Sequence, residues 1–262
     1  MKIIIPNVFA RYKSIDLIRL GNKYDGGYVV DKKSVLNSKL LISFGLGLDW
    51  SFEKAFIKIN KKSLVKNYDG SINLSFWALY ALKQLIKLIT FQISIKVFFY
   101  NLYKILDFIF FFIKKNNFFS YWIIPNGSID PQRLKKKDLN QILKKNKNFF
   151  FLKIDIEGAE YRILDQIIKN QKLLQGLVIE WHDVDLHLKR IIDFHKKLKL
   201  KIIYISSNNA TLVNPDRFPT TLEISYSKYY KEKLFYMKDF DRELLNYPNV
   251  SKFQNHVIEF RK

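Results

Sequence analysis

Short runs of consecutive apolar residues, each closed by a glycine, an acid or a turn, set the rhythm of this chain. Leu40 to Gly47, LLISFGLG, is an unbroken apolar run ending in glycines, the pattern of a strand buried on both faces of a parallel sheet. Asp49 to Ile59 follows with Phe52, Phe56 and Ile59 at helical spacing, and Asp49 or Ser51 can cap that helix. Leu64-Val65 leads to Tyr68-Asp69-Gly70, a second strand ending in an acid, and Ile123-Ile124 reads as a third before the turn Pro125-Asn126-Gly127. Leu134 to Leu143 reads as a basic helix. Residues 149–155 then form the most apolar strand, and Tyr161, Ile163, Leu164, Ile167 and Ile168 make one stripe of a helix that Gly176 ends. Leu177–Trp181 is another strand, Leu186–Leu198 a helix, and Lys201–Ser206 a strand. A long loop, Ser207–Pro219, precedes the strands Leu222–Tyr226 and His256–Phe260. Strand and helix alternating in this way predict an α/β fold, with a mostly parallel sheet covered by helices on both faces.

Residues 74–113 break the rhythm. They are almost entirely apolar and aromatic, but Lys83, Lys87, Lys96, Lys104 and Asp107 interrupt them, so no uncharged run approaches the roughly 20 residues that span a bilayer. On a helix, Gln92, Lys96, Tyr103 and Asp107 share one narrow polar face. Two readings stay open: a helical insertion packed on a single domain of residues 1–262, or a helix lying in the plane of a membrane surface.

Composition adds bounds. In 262 residues, 45 basic against 24 acidic side chains leave a formal charge of +21. That excess favours anionic partners, although lysines spread this evenly are also what a bias of the whole chain produces. There is no cysteine, hence no disulfide and no thiolate metal site. The apolar patch of MKIIIPNVFARYK is too short for a secretory segment, and the cytoplasm is the expected location, including the inner face of its membrane.

The chemistry gathers at strand ends. Phe44-Gly45-Leu46-Gly47 joins a buried strand to a helix start, where glycines let a ligand approach the backbone, though two glycines also make an ordinary turn. No third glycine follows at dinucleotide spacing, which disfavours a pyrophosphate cradle. Asp69, just over 20 residues on, is placed either to accept hydrogen bonds from a ribose diol or to serve an Asp-Gly turn. A nucleoside ligand without a diphosphate fits, and S-adenosylmethionine is one. Asp155 and Glu157 close one strand, and Glu180-Trp181-His182 close the next, so carboxylates and an imidazole meet at one rim. Such a set can align a hydroxyl and take its proton, with His182 as base from its ordinary pKa near 6.5. Glu157 could instead cap the next helix, with His182 merely packing near Trp181. The set could also hold a divalent cation, but no spacing in it is diagnostic and metal use is not favoured. His187 and His195 read as surface residues.

The blocks LGNKYDGGYVV (20–30), LISFGLGLDWSFEKAF (41–56), YDGSI (68–72), FLKIDIEGAEYRIL (151–164), GLVIEWHDVDLH (176–187), Asn208-Asn209 and PTTLEISY (219–226) come in an order that resembles the FkbM-like S-adenosylmethionine-dependent methyltransferases. KIDIEGAE is the most specific of them. The resemblance implies a Rossmann-like, seven-stranded methyltransferase sheet and O-methylation of a saccharide or glycoconjugate hydroxyl. Gly45 and Gly47 match its cofactor glycines and Asp69 the acid after its second strand, and Phe44 and Asp155, at the same strand ends, are expected to border the cofactor with them. Asp155, Glu157 and His182 then serve catalysis, with Asp25, Gly27, Glu180, Asn208 and Asn209 toward the substrate. Two rival functions are a nucleic-acid methyltransferase, which needs its lysines on one face, and a non-catalytic membrane-peripheral protein that works through 74–113.

Overall fold

The computed structural model describes residues 1–113, 117–125, 127–128, 134–144, 147–232, 245 and 247–261. Seven strands, β1 (Leu40–Phe44), β2 (Leu64–Tyr68), β3 (Phe118–Phe119), β4 (Phe150–Ile154), β5 (Leu174–Trp181), β6 (Lys201–Ser207) and β7 (Leu222–Ser227), lie in the order β3-β2-β1-β4-β5-β7-β6. β3 through β5 pair in parallel, and β7 runs antiparallel to both its neighbours. This is the mostly parallel, seven-stranded methyltransferase arrangement that the resemblance implies. The chain leaves β1 toward β2 and β3 on one side and resumes at β4 on the other, so the sheet order reverses between β1 and β4, where open α/β sheets bind ligands.

Among the described residues seven α-helices accompany the sheet: α1 (Lys32–Leu36), α2 (Ser51–Ile59), α3 (Leu74–Ile89), α4 (Ile95–Phe108), α5 (Leu139–Lys144), α6 (Leu164–Asn170) and α7 (Val184–Lys197). The side-chain period of two sorts the central strands onto two cores. Leu41, Phe151 and Val178 pack with Phe52 and Phe56 of α2 and with Tyr28 and Val30 of a hairpin formed by Leu17–Leu20 and Tyr28–Asp31. Leu40, Ile42, Phe44, Leu152, Ile154 and Ile179 face the other way, onto Leu139, Ile142, Ile167, Ile191 and Phe194. Completely burying a side chain of this size stabilises the fold by about 1.5–3 kcal/mol, which is why β1, β4 and β5 read as mostly apolar runs.

Three sequence expectations need correction. The third sheet strand is Phe118–Phe119, not Ile123-Ile124: Asn67 hydrogen-bonds the Asn117 carbonyl and Phe119 stacks on Tyr68 at 5.0 Å. Trp122–Ile123 pairs instead with Lys136–Lys137, outside the main sheet. The basic helix therefore starts only at Leu139, where the Asp138 carboxylate accepts the Asn140 N–H. Gly176 does not end α6 but lies inside β5 at a register shift, where the Phe151 ring leaves no room for a Cβ. The strand expected at His256–Phe260 is present as Val257–Arg261, and it pairs in parallel with Lys2–Pro6 outside the main sheet. Asn126 of the predicted 125–127 turn lies outside the described residues.

The segment 74–113 is helical, as its pattern predicts: α3 and α4 form a hairpin that turns through Thr90–Ser94. Ser94 and Asn73 cap the two helices with their side chains. Inside the seam, Asn101 donates to the buried Gln84. Trp77, Phe108 and Phe112 root the hairpin on Trp50 and Leu46, immediately after β1.

Candidate active site

Gly45 leaves β1 with φ +75°, and its neighbour Gly47 has φ +52°. A Cβ on Gly45 would sit 1.6 Å from the Asp155 carbonyl oxygen, so only glycine lets β1 and β4 separate this tightly. A Cβ on Gly47 would meet nothing within 4 Å, so this side of the loop is open to a ligand. Asp69, the first residue past β2, holds the loop in shape: Oδ2 accepts the N–H groups of Leu46 (2.9 Å) and Gly47 (3.1 Å), and Oδ1 accepts the Ser71 N–H and hydroxyl. A carboxylate has about four acceptor positions. Asp69 has thus filled them within the protein, and a ribose hydroxyl would have to replace the Ser71 hydroxyl. The Phe44 side chain is fully buried against Tyr68, and its carbonyl accepts the Asp155 N–H.

Beneath the loop runs a buried ion pair that sequence reasoning missed. Lys153, on β4, donates to the Gly45 carbonyl at 3.0 Å and lies 3.8 Å from Glu53 of α2, which also accepts the Ser43 hydroxyl. Burial pushes Glu53 up, against the pull of Lys153. For Lys153 burial pulls down, but the carboxylates around it, Glu53 first, outweigh it and leave it raised. Its signal in the sequence is a single lysine inside the apolar run FFFLKI.

At the rim, β4 ends at Ile154 and the chain turns through two left-handed residues, Glu157 (φ +52°) and Gly158 (φ +90°). Glu157 is therefore off the strand, and the period of two does not govern it. The turn nevertheless brings Asp155, Glu157 and His182 together: each offers an oxygen or nitrogen within 4.8 Å of the others. What fixes them is Glu160, fully buried, which accepts the Gly158 N–H at 2.9 Å and the His182 N–H at 2.8 Å. The Tyr161 hydroxyl donates to the His182 carbonyl. The His182 ring then lies between Glu160 on Nδ1 and Glu157 on Nε2, each at 3.4 Å. Burial alone would lower its pKa, but Glu160, then Glu180 and Asp155, push it up to about 9. At neutral pH it is an imidazolium, not the mostly neutral base that the solution value suggests. Glu157 is exposed and caps no helix.

Glu180 faces the same side as Lys153 and Asp155. The Tyr28 hydroxyl lies 2.9 Å from Glu180 Oε2 and 3.1 Å from Asp155 Oδ2, so one proton bridges the two. Burial, then the charges of Asp155 and Glu223, push Glu180 up to about 8. Asn208 donates to its other oxygen at 3.2 Å. Glu223, on β7, accepts from Asn249, which also reaches Asp25 at 3.4 Å. Asn209 does not join this group; it clamps the C-terminal segment through Val250 and Phe253. Gly27 closes the turn behind Asp25, where a Cβ would lie 1.9 Å from the Asn22 carbonyl. His195 is no surface residue either: its ring meets Phe9 and Trp181 and bonds the Tyr226 hydroxyl.

Over residues 59–199, from the end of α2 through α7, the sequence matches the methyltransferase FkbM domain. The chain belongs to the FkbM methyltransferase family. Among curated proteins no sequence matches it. Among solved structures, it is similar to the fibrillarin pre-rRNA processing protein of Methanococcus jannaschii, with 11% identity over 76% of this chain and 70% of that one and a TM-score of 0.35. It is also similar to precorrin-6y C5,15-methyltransferase from Geobacter metallireducens GS-15, with 10% identity over 75% and 84% and a TM-score of 0.36.

As an FkbM methyltransferase, the chain is implied to use S-adenosylmethionine. The open space at Gly47, beside a loop braced by Asp69 and Lys153, fits that group. Asp155, Glu157 and His182 are also the one set of groups, among the described residues, whose spacing could hold a metal ion. Tyr28, Glu160, Glu223 and Asn249 are the rim residues that the sequence did not single out. Tyr28 and Glu160 do stand inside quoted blocks, DGGY and EGAEY, whereas nothing marks Asn249.

Proposed function

We propose that the chain transfers a methyl group from S-adenosylmethionine to a hydroxyl of a saccharide or glycoconjugate precursor. The observation that carries this reading is the convergence of Asp155, Glu157 and His182 at the ends of β4 and β5, beside the open face of Gly47. The cofactor, when bound, supplies a methyl carbon on a sulfonium. The backbone of Gly45–Gly47 and the brace at Asp69 hold its nucleoside end. Methylation of an acceptor hydroxyl would release its proton, and the neutral form of His182 would take it. Glu157 and Glu160 hold the ring and stabilise the imidazolium so formed. Asp155 accepts a hydrogen bond from an acceptor hydroxyl, and Glu180, its pKa held at about 8 and so largely protonated at neutral pH, donates one. The carboxylates of Asp25, Asp155 and Glu157 suit a hydroxyl-rich neutral sugar and outnumber the His182 imidazolium beside them, which argues against a nucleic-acid acceptor.

Calorimetric titration with S-adenosylmethionine and S-adenosylhomocysteine tests the first half. Binding is expected in the wild type, and at least tenfold weaker binding in Asp69→Ala, because two charge-assisted bonds to the loop are lost. Absence of binding by folded wild type overturns the reading. Transfer of labelled methyl groups to a panel of neutral sugars and glycolipids tests the second half, and it is expected to survive EDTA.

A further inference from the structure

The α3–α4 hairpin exposes an apolar surface that the fold leaves uncovered. On α3, Leu79, Leu82, Ile86 and Ile89 recur three or four residues apart and are all exposed, opposite the buried Trp77 and Gln84. On α4, Ile95, Phe99 and Leu106 are exposed on the side away from the buried Phe108. At the tip Phe91 is 95% exposed and sits in a left-handed conformation, φ +56°. Single exposed apolar residues are ordinary, but exposed apolar rows along both arms of one hairpin mark an interaction surface.

The charges identify the occupant. Lys83, Lys87 and Lys96 are exposed on the same hairpin. Between Leu74 and Leu106 there is no acid at all. Asp107, which follows, is taken by Trp50 and Lys54 at the root. A second copy of this chain would set these lysines against their own kind, in a molecule of charge +21. Nor does the hairpin cross a bilayer: α3 has 16 residues and α4 has 14, which at 1.5 Å per residue is about 24 and 21 Å, short of the ~30 Å hydrocarbon layer. Among the described residues no helix is long and apolar enough to span. Apolar side chains facing outward, lysines beside them, and exposed Tyr100 and Tyr103 are what an in-plane helix presents to lipid headgroups.

We propose that α3 and α4 dock the protein on an anionic bilayer surface, with Phe91 and the outer leucines and isoleucines in the headgroup region and the lysines on the lipid phosphates. The hairpin is rooted through Trp77 and Phe108 on Trp50, so docking holds the glycine loop close to the membrane. This stands apart from the methyl-transfer reading and needs no cofactor.

Flotation with vesicles of phosphatidylcholine, with and without phosphatidylglycerol, tests it. Wild type is expected to float with the phosphatidylglycerol vesicles only, and less as salt rises. L82E together with I86E is expected to abolish flotation. K83Q, K87Q and K96Q combined are expected to weaken partitioning roughly a hundredfold, each lysine contributing about fivefold. All these positions are exposed, and far-ultraviolet melting checks that the variants fold. Wild type that stays with the protein fraction at low salt overturns the proposal. So does flotation unchanged in both variants, or a wild-type dimer that L82E/I86E dissolves without any lipid binding.

Discussion

His182 has a glutamate 3.4 Å from each ring nitrogen, so its proton leaves only near pH 9. A base in that position is strong but scarce: each unit below pH 9 leaves about a tenth as much neutral ring. Turnover is therefore expected to rise about tenfold per pH unit through neutrality and level off above about 9, while cofactor affinity stays flat. H182Q is expected to lose roughly 10²–10⁴-fold in kcat with cofactor binding nearly unchanged. A flat pH–rate profile in wild type, or turnover surviving H182Q, removes His182 from proton transfer. The sequence supplied the histidine and its neighbours at the strand ends. It could not supply the shift, because Glu160 stands 22 residues away and the turn that brings them together depends on left-handed Glu157 and Gly158.

Two glycines in one loop answer to different constraints, and the difference is measurable. At Gly45 an added methyl meets the Asp155 carbonyl at 1.6 Å as well as an unfavourable φ, so β1 and β4 must part at their ends. Gly45→Ala is expected to cost more than about 3 kcal/mol and to lower the melting temperature by about 6 °C or more. Gly47→Ala meets only the backbone penalty, about 1–2 kcal/mol, but puts a methyl where the ligand would lie. It is expected to melt only a few degrees below wild type, less than Gly45→Ala does, and to bind S-adenosylmethionine more weakly. Equal losses of stability in the two variants would refute this division. Elements of this kind were legible where burial on both faces left a long apolar signature, as in β1, β4 and β5. They were not legible where pairing is short or set by distant contacts: β3 is two residues placed by Asn67 and Tyr68, and Gly176 looks like a helix end although the Phe151 ring makes it a strand residue. Phe44 shows the same limit, since the strand was clear but not which way the side chain turns.

Across the whole molecule, charge is segregated by function. The chain carries +21, yet Asp25, Asp155, Glu157, Glu160, Glu180 and Glu223 stand along one rim, where Lys153 from beneath and the His182 imidazolium oppose them. Composition alone could not show this, because a count of charges says nothing about which strand ends they share. The two fields act on different partners. The basic exterior draws polyanions from a distance by a term that salt screens, whereas a carboxylate rim raises the energy of any phosphate that enters it. Single-stranded RNA is therefore expected to bind weakly and to lose affinity steeply with salt, with a log–log slope of several units. At saturating RNA, methyl transfer to a neutral glycan in free solution is expected to stay within about twofold of its rate without RNA, because the bound polyanion lies outside the rim. Anisotropy across a salt series and methyl-transfer rates with and without RNA decide the matter together. If RNA instead inhibits competitively with the acceptor, the acidic rim does not exclude phosphate, and the glycan acceptor gives way to a nucleic-acid one.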